Sequence, residues 1–264
     1  MSQQDRNAEL VSLLETDFVG RSEPNYAWKS ACAAFQALPG LRGFWPMSST
    51  DENGAAMDLS GQSTPRILTH AGGALYTYAN LEPILFFDEV TGYLARATEA
   101  GLDILGTEAY NAAAVRGLTI GGWFLPVALR TQGLMTKESA GNAAQASYAL
   151  YNTNPTILTF RVSTGAAFLE VNLAGLSTTA WQFCVGRYDP STEIKSWINE
   201  TTAINAVGIP AALVNSASAF EIGSFSGGVL PFSGYASMCF LSSMMLSDSI
   251  ISALFEQTRS MYNV

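Results

Sequence analysis

From about residue 41 onward, apolar positions recur at every second residue. In "ILTFRVS" (157–163), Leu158, Phe160 and Val162 share one side while Thr159, Arg161 and Ser163 share the other, the pattern of a strand with one face in a core. "WQFCVG" (181–186) alternates through Trp181, Phe183 and Val185. In "GYASMCFL" (234–241), Tyr235, Ser237 and Cys239 alternate with Ala236, Met238 and Phe240, and both faces are fairly apolar. "LTIGGWFLPV" (118–127) is interrupted by Gly121 and Gly122, which predict a bulge or a close contact within the sheet. Further strands are predicted at "ILFFD" (84–88), "SYALYN" (147–152), "AFLEVN" (167–172) and "AFEIGSF" (219–225). Many short strands separated by Gly, Asn, Ser and Asp describe an antiparallel β-sandwich rather than βαβ units.

Both ends carry a different period. Leu10, Leu14 and Phe18, with Val11 beside them, fit a short amphipathic helix. A second helix begins near "SEPNYAW", with Ser22 as cap, Pro24 in the first turn, and Trp28, Ala31, Cys32, Phe35 and Leu38 along one side. Pro39 and Gly40 stop it. Residues 1–40 therefore read as a helical N-terminal extension for docking or oligomerisation, and 41–264 as the sandwich. The tail offers Ser247 as helix cap, Asp248 in the first turn, and Ile251, Leu254, Phe255 and Thr258 as a stripe. This short C-terminal helix is expected against an edge or end of the sandwich.

Composition narrows the function classes. Only 13% of residues are charged, against roughly one quarter in an average soluble domain, so the chain has unusually little charge with which to cover its surface. A net charge of -9 argues against a nucleic-acid phosphate surface and against anionic membranes. No stretch reaches the length of a membrane-spanning helix. "MSQQDRNAEL" lacks the basic and apolar regions of a secretory signal, so cytoplasmic synthesis is expected. Cys32, Cys184 and Cys239 share no metal-type spacing and imply no disulfide framework.

Several stretches occur in the order seen in a known family: "GFWPM" (43–47), "DLSGQ" (58–62), "LTHAGG" (68–73), "FFDEVTGYL" (86–94), "LTIGGWF" (118–124), "WQFCVGRYDPSTEIKSWINE" (181–200), "AFEIGSF" and "GYASMCFLSSMMLSD" (234–248). Over residues 41–257 the chain resembles the laminin-G-like jelly rolls of the concanavalin A-like lectin and glucanase superfamily. The resemblance implies a mainly β fold, a two-sheet antiparallel jelly-roll sandwich with N-terminal helices and a short C-terminal helix. Asn199-Glu200 stands where the family usually has Asn-Gly, a departure that bears on the turn type and not on the hairpin. Trp181 and Phe183 then become core residues and "DPSTE" (189–193) their turn.

The glucanases of this superfamily use paired carboxylates on one strand face, written E-x-D-x-x-E, and retaining chemistry needs them about 5–5.5 Å apart. No such cluster occurs: Glu221 stands alone, and Glu193 and Glu200 flank a hairpin. His70 is the sole histidine, which excludes histidine-pair metal sites, and no G-x-S-x-G elbow is present. Calcium is the one cofactor candidate, since many members of the family hold it at the sandwich rim. Asp51, Asp58, Asp88 and Asp103 lie in or beside loops where carboxylates converge in such sites, although Asp58 and Asp88 equally suit Asx turns. Tyr76, Tyr78, Tyr151 and Tyr188 fall near predicted strand ends and suit a sugar face, a protein interface, or ordinary core and surface positions.

Low charge density, no catalytic cluster and the helical extension favour a non-enzymatic structural or attachment protein. The resemblance extends to phage decoration proteins and adhesins, which implies a virion or particle-surface component with self-association and other particle or capsid proteins as partners. The alternative is a carbohydrate-binding, lectin-like domain supported by calcium, with glycans as partners. A glycoside hydrolase is the least favoured reading.

Overall fold

The computed structural model describes residues 26–47, 55–71, 75–79, 82–88, 92–107, 116–128, 130–139, 142–154 and 156–264. Period-two segments become strands. In chain order these are β1 (Leu41–Trp45), β2 (Thr69–Ala71), β3 (Leu75–Ala79), β4 (Glu82–Asp88), β5 (Tyr93–Arg96), β6 (Leu118–Pro126), β7 (Gln132–Glu138), β8 (Ala146–Asn154), β9 (Ile157–Ser163), β10 (Phe168–Ala174), β11 (Gln182–Asp189), β12 (Glu193–Ile198), β13 (Thr201–Asn205), β14 (Phe220–Ile222) and β15 (Ser233–Ser242). One sheet runs β13-β12-β11-β6-β15-β4-β3, with β1 also on β15 and eight strands in all. The other runs β10-β9-β8-β7-β14-β5-β2. All the strand pairings are antiparallel, and the two sheets form a sandwich.

The inner faces follow the predicted parity. Leu158, Phe160 and Val162 of β9 join Tyr148 and Leu150 of β8 in one apolar cluster with Leu118, Ile120 and Phe124 of β6. A Cβ on Gly186 of β11 would stand 2.3 Å from the ring of Phe160, so glycine there lets an aromatic ring from the opposite sheet press onto the backbone. Asn199 makes the β12–β13 turn at φ 54, and only this first turn residue needs the left-handed region. Its side chain accepts from Phe183 N at 2.8 Å, tying the turn to β11.

A second apolar layer lies on the outer face of the eight-stranded sheet. Helix α1 (Tyr26–Gln36) buries Trp28, Ala31, Cys32 and Phe35 there, with Leu38 just beyond its end, the side predicted from spacing. Ser22, Pro24 and the helix predicted around Leu10–Phe18 lie outside the described residues. Helix α2 (Asp248–Thr258) starts at Ser247, whose side chain accepts from Ile250 N, and buries Ile251, Leu254, Phe255 and Thr258. Eleven residues are too few for a stable isolated helix; burial of side chains such as these, worth about 1.5–3 kcal/mol for each large apolar one, holds it.

Two expectations change. Helix α2 packs across a sheet face and not against an edge or end, because Trp123, Phe183, Val185 and Phe240 point outward and need cover. The alternation in "GYASMCFL" also breaks: the register shifts between Ser237 and Phe240, Met238 has φ 50, and Cys239 and Leu241 turn inward with Ala236. Opposite this bulge, a Cβ on Gly122 would lie 3.0 Å from Cys239 Cα, so the bulge and the close contact predicted at Gly121 and Gly122 are one feature.

Helices thus cover one sheet's outer face. Among the described residues no α-helix covers that of the seven-stranded sheet, and no helix is long and apolar enough to cross a membrane.

Candidate functional site

On the seven-stranded sheet, Phe220 and Ile222 of β14 and Leu94 of β5 point into the core, so the residues between them point outward. Glu221 pairs with Ala95 on one side and Thr136 on the other, and Tyr93 shares the parity of Ala95. Tyr93, Ala95 and Glu221 line an open cleft of about 430 Å³, a size within the range of small-molecule sites, about 300–1,000 Å³. Ser139 and Gln145 contribute further lining from the strand β7 side, and the stretch 217–219 contributes from the segment before β14.

The rim is a glycine-rich loop folded back over the sheet. Gly223, Gly227 and Gly228 have φ 88, 76 and 91, a path closed to most side chains. Phe225 and Val229 exchange backbone hydrogen bonds at 2.7 Å across it. Glu221 anchors the loop: one carboxylate oxygen accepts from Ser224 Oγ and the other from Gly227 N at 2.5 Å. Thr136 Oγ1 donates to Ser224 O at 2.8 Å from the sheet below. The Glu221 residue is only 2% exposed although it lines the cleft.

Phe225 faces the other way along the sheet, onto Tyr151 at 5.1 Å in an edge-to-face contact. Beside it the guanidinium of Arg161 lies 4.7 Å from the Tyr151 ring and 4.2 Å from that of Phe168. Arg161 pairs with Glu138 and, at 3.6 Å, with Glu170; the Tyr151 hydroxyl donates to Glu170 at 2.8 Å. Burial raises the Glu138 carboxyl above the usual range against the pull of Arg161. Burial also opposes the Arg161 cation, but its bonds and charge interaction with Glu138 outweigh that and raise its pKa. Burial holds the Tyr151 phenol well above its ordinary value. Nearby, Lys137 is fully buried and holds the wall of the cleft: its Nζ donates to Ser216 O at 2.9 Å and Ser218 O at 2.8 Å and pairs with Asp103 at 2.9 Å.

The predicted tyrosines do not form this site. Tyr188 is a core residue and not a surface one: it is fully buried between the sheets, its hydroxyl donating to Pro210 O at 2.7 Å, because its parity on β11 points inward. Tyr151 does face outward but lies beneath Phe225 at 3% exposure, and serves to order Arg161 and Glu170. Tyr76 and Tyr78 lie on β3, an outermost strand of the other sheet, paired with Leu85 and Pro83.

Asp51 lies outside the described residues. Asp58 is buried and accepts from the backbone N–H groups of Phe44, Ser60 and Arg66 at 3.0, 2.9 and 2.7 Å, an Asx turn extended into a three-way tie. Asp88 accepts from Gly92 N at 3.0 Å, and Asp103 is paired with Lys137. Among the described residues, no group of three or more His, Cys, Asp or Glu side chains is placed to hold a metal ion. Sequence reasoning set Glu221 aside as a lone carboxylate and passed over Tyr93. The available signal was local: a glutamate followed, one residue on, by "GSFSGG" (223–228), a stretch able to fold back over its own strand.

No family model and no curated protein matches the chain. Solved structures do. The binding domain of Paraclostridial Mosquitocidal Protein 1 matches with a TM-score of 0.62 and 11% identity, over 82% of this chain and 52% of that one. A botulinum neurotoxin type C structure, described as entering cells in dependence on two ganglioside molecules, matches with a TM-score of 0.60 and 10% identity, over 82% and 51%. The binding domain of botulinum neurotoxin DC in complex with rat synaptotagmin II matches with a TM-score of 0.59 and 12% identity, over 82% and 51%. The chain spans about half the length of these structures, and the likeness at such identity is one of fold. It agrees with the two-sheet sandwich and gives the laminin-G-like and phage resemblance no independent support.

Proposed function

We propose that the protein is a non-enzymatic attachment domain that holds a glycan on the outer face of its seven-stranded sheet. The observation that carries the reading is the cleft on β5 and β14, which sets an aromatic ring, a buried carboxylate and several hydroxyl and amide groups around one space on the face that no described α-helix covers. A sugar offers an apolar C–H face to a ring such as Tyr93 and hydroxyls to the polar wall. The described lining holds one carboxylate, Glu221, where glycoside hydrolysis ordinarily uses two. The fold neighbours are binding domains, including one described with gangliosides and one with a protein receptor, which supports attachment as the common theme. A glycan array probed with the wild type and Tyr93→Ala tests this. Retention lost in the variant at unchanged melting temperature supports the reading, and retention unaffected by the change sinks it.

A second reading, assembly into a virion or other particle, draws on β13. This strand ends the eight-stranded sheet, with Ile204 54% exposed on it and Val207 78% exposed just beyond. An open edge with apolar side chains pairs readily with another chain. Light scattering of the full chain tests it: a closed oligomer is expected, and a monomer at high concentration removes the reading.

A further inference from the structure

We infer that the cleft on β5 and β14 selects uncharged sugars and turns acidic ones away. This rests on the attachment reading above and names the ligand class of the same site.

The deciding group is Glu221. A carboxylate has about four lone-pair positions, and the loop uses one on each oxygen, through Ser224 and Gly227. The carboxylate therefore keeps acceptor capacity for hydroxyl donors of a ligand. Among the described residues no cationic side chain pairs with it. The described cations of β5, β7 and β9 are spent elsewhere. Arg96, at the end of β5, pairs with Glu99 at 2.7 Å and donates to Ile67 O at 3.1 Å. Lys137 has no exposed side-chain surface and directs its ammonium at Thr98, Ser216, Ser218 and Asp103, behind the wall of the cleft. Arg161 is held between Glu138 and Glu170. Among the described residues, this part of the sheet face thus presents three carboxylates, Glu138, Glu170 and Glu221, against the guanidinium of Arg161, and the carboxylate in the cleft has no counter-ion.

The remaining described lining is neutral. Ser139, Gln145 and Ser218 supply hydroxyl and amide groups, and Tyr93 is packed beside the loop, a Cβ on Gly228 standing 3.0 Å from its ring. Sugar hydroxyls satisfy such a site. A sugar carboxylate or sulfate placed beside Glu221 meets like charge with no described cation to offset it.

The test uses the full chain and matched pairs of immobilised oligosaccharides, each sialylated glycan beside the same glycan after desialylation, with sulfated and unsulfated pairs added. The wild type is expected to retain the neutral members at least tenfold more strongly than the acidic ones. Glu221→Gln is expected to narrow that ratio. Ala217→Trp, at an exposed position of the lining, is expected to abolish retention of both members at unchanged melting temperature. Should Glu221→Gln fail to fold, the wild-type ratio is read at 50 and 500 mM salt: screening should raise relative binding of acidic members, and an unchanged or falling value overturns the charge argument. Acidic glycans held as well as neutral ones, and lost in Ala217→Trp, overturn the selectivity and leave the attachment reading standing. No retained glycan, or retention that survives Ala217→Trp, overturns both.

Discussion

The indole N–H of Trp123 donates to Thr258 Oγ1 at 2.9 Å, and the same hydroxyl donates onward to Leu254 O at 2.7 Å. A central strand of the eight-stranded sheet is thereby joined to the last turn of α2, with Tyr262 stacked on the indole at 4.3 Å. Thr258→Val keeps the shape and removes the acceptor, leaving a buried N–H unpaired. We expect a loss of about 1–3 kcal/mol in urea unfolding. An unchanged midpoint would mean that the indole finds another acceptor.

Arg161 is the cation that makes the buried Glu138 tolerable. Arg161→Met should cost about 3–5 kcal/mol at neutral pH, because the carboxylate is left uncompensated. The pH dependence has a definite sign. Burial already raises the Glu138 pKa in the folded state above its unfolded value, and loss of Arg161 raises it further. The folded variant then binds more protons than the unfolded chain above the usual glutamate range, so its stability falls as pH rises. Denaturant curves of variant and wild type from pH 5 to 8 should diverge with increasing pH; convergence contradicts the assignment.

Asp248, in the first turn of α2, accepts from Lys195 and Arg187 at 2.6 Å each. Burial pushes its pKa up, but those partners outweigh burial and leave it lowered. The stabilisation is therefore present above the ordinary aspartate value, about 3.9, and is lost as pH falls through the lower folded value. The Asp248 side chain is 58% exposed, so solvent screening limits Asp248→Asn to about 0.5–1 kcal/mol at pH 7. Melting temperatures should differ at pH 7 and coincide in strong acid.

Much of the secondary structure was written locally. Leu158, Phe160 and Val162 announce β9 by alternation, and Ser247 with the stripe from Ile251 to Thr258 announces α2, because capping and periodicity depend on neighbours a few residues away. Asp58 likewise announced its turn, since the oxygen that accepts from Ser60 lies two residues back. The site was less legible. Parity says that Tyr188 and Tyr151 sit on strands without saying which side is core, and the tertiary structure put one ring between the sheets and the other beneath Phe225.

Sequence alone determined that this chain builds many short strands, a bulge or close contact at its double glycine and a capped closing helix. The tertiary structure decided that a second apolar layer, from Phe35 to Phe255, covers one sheet, and that Glu221 and Ala95 meet across β14 and β5 to line a cleft on the other. Strand pairing between distant segments is settled by the packing of the whole core, where many weak contacts compete at once, and no short window of sequence contains that competition.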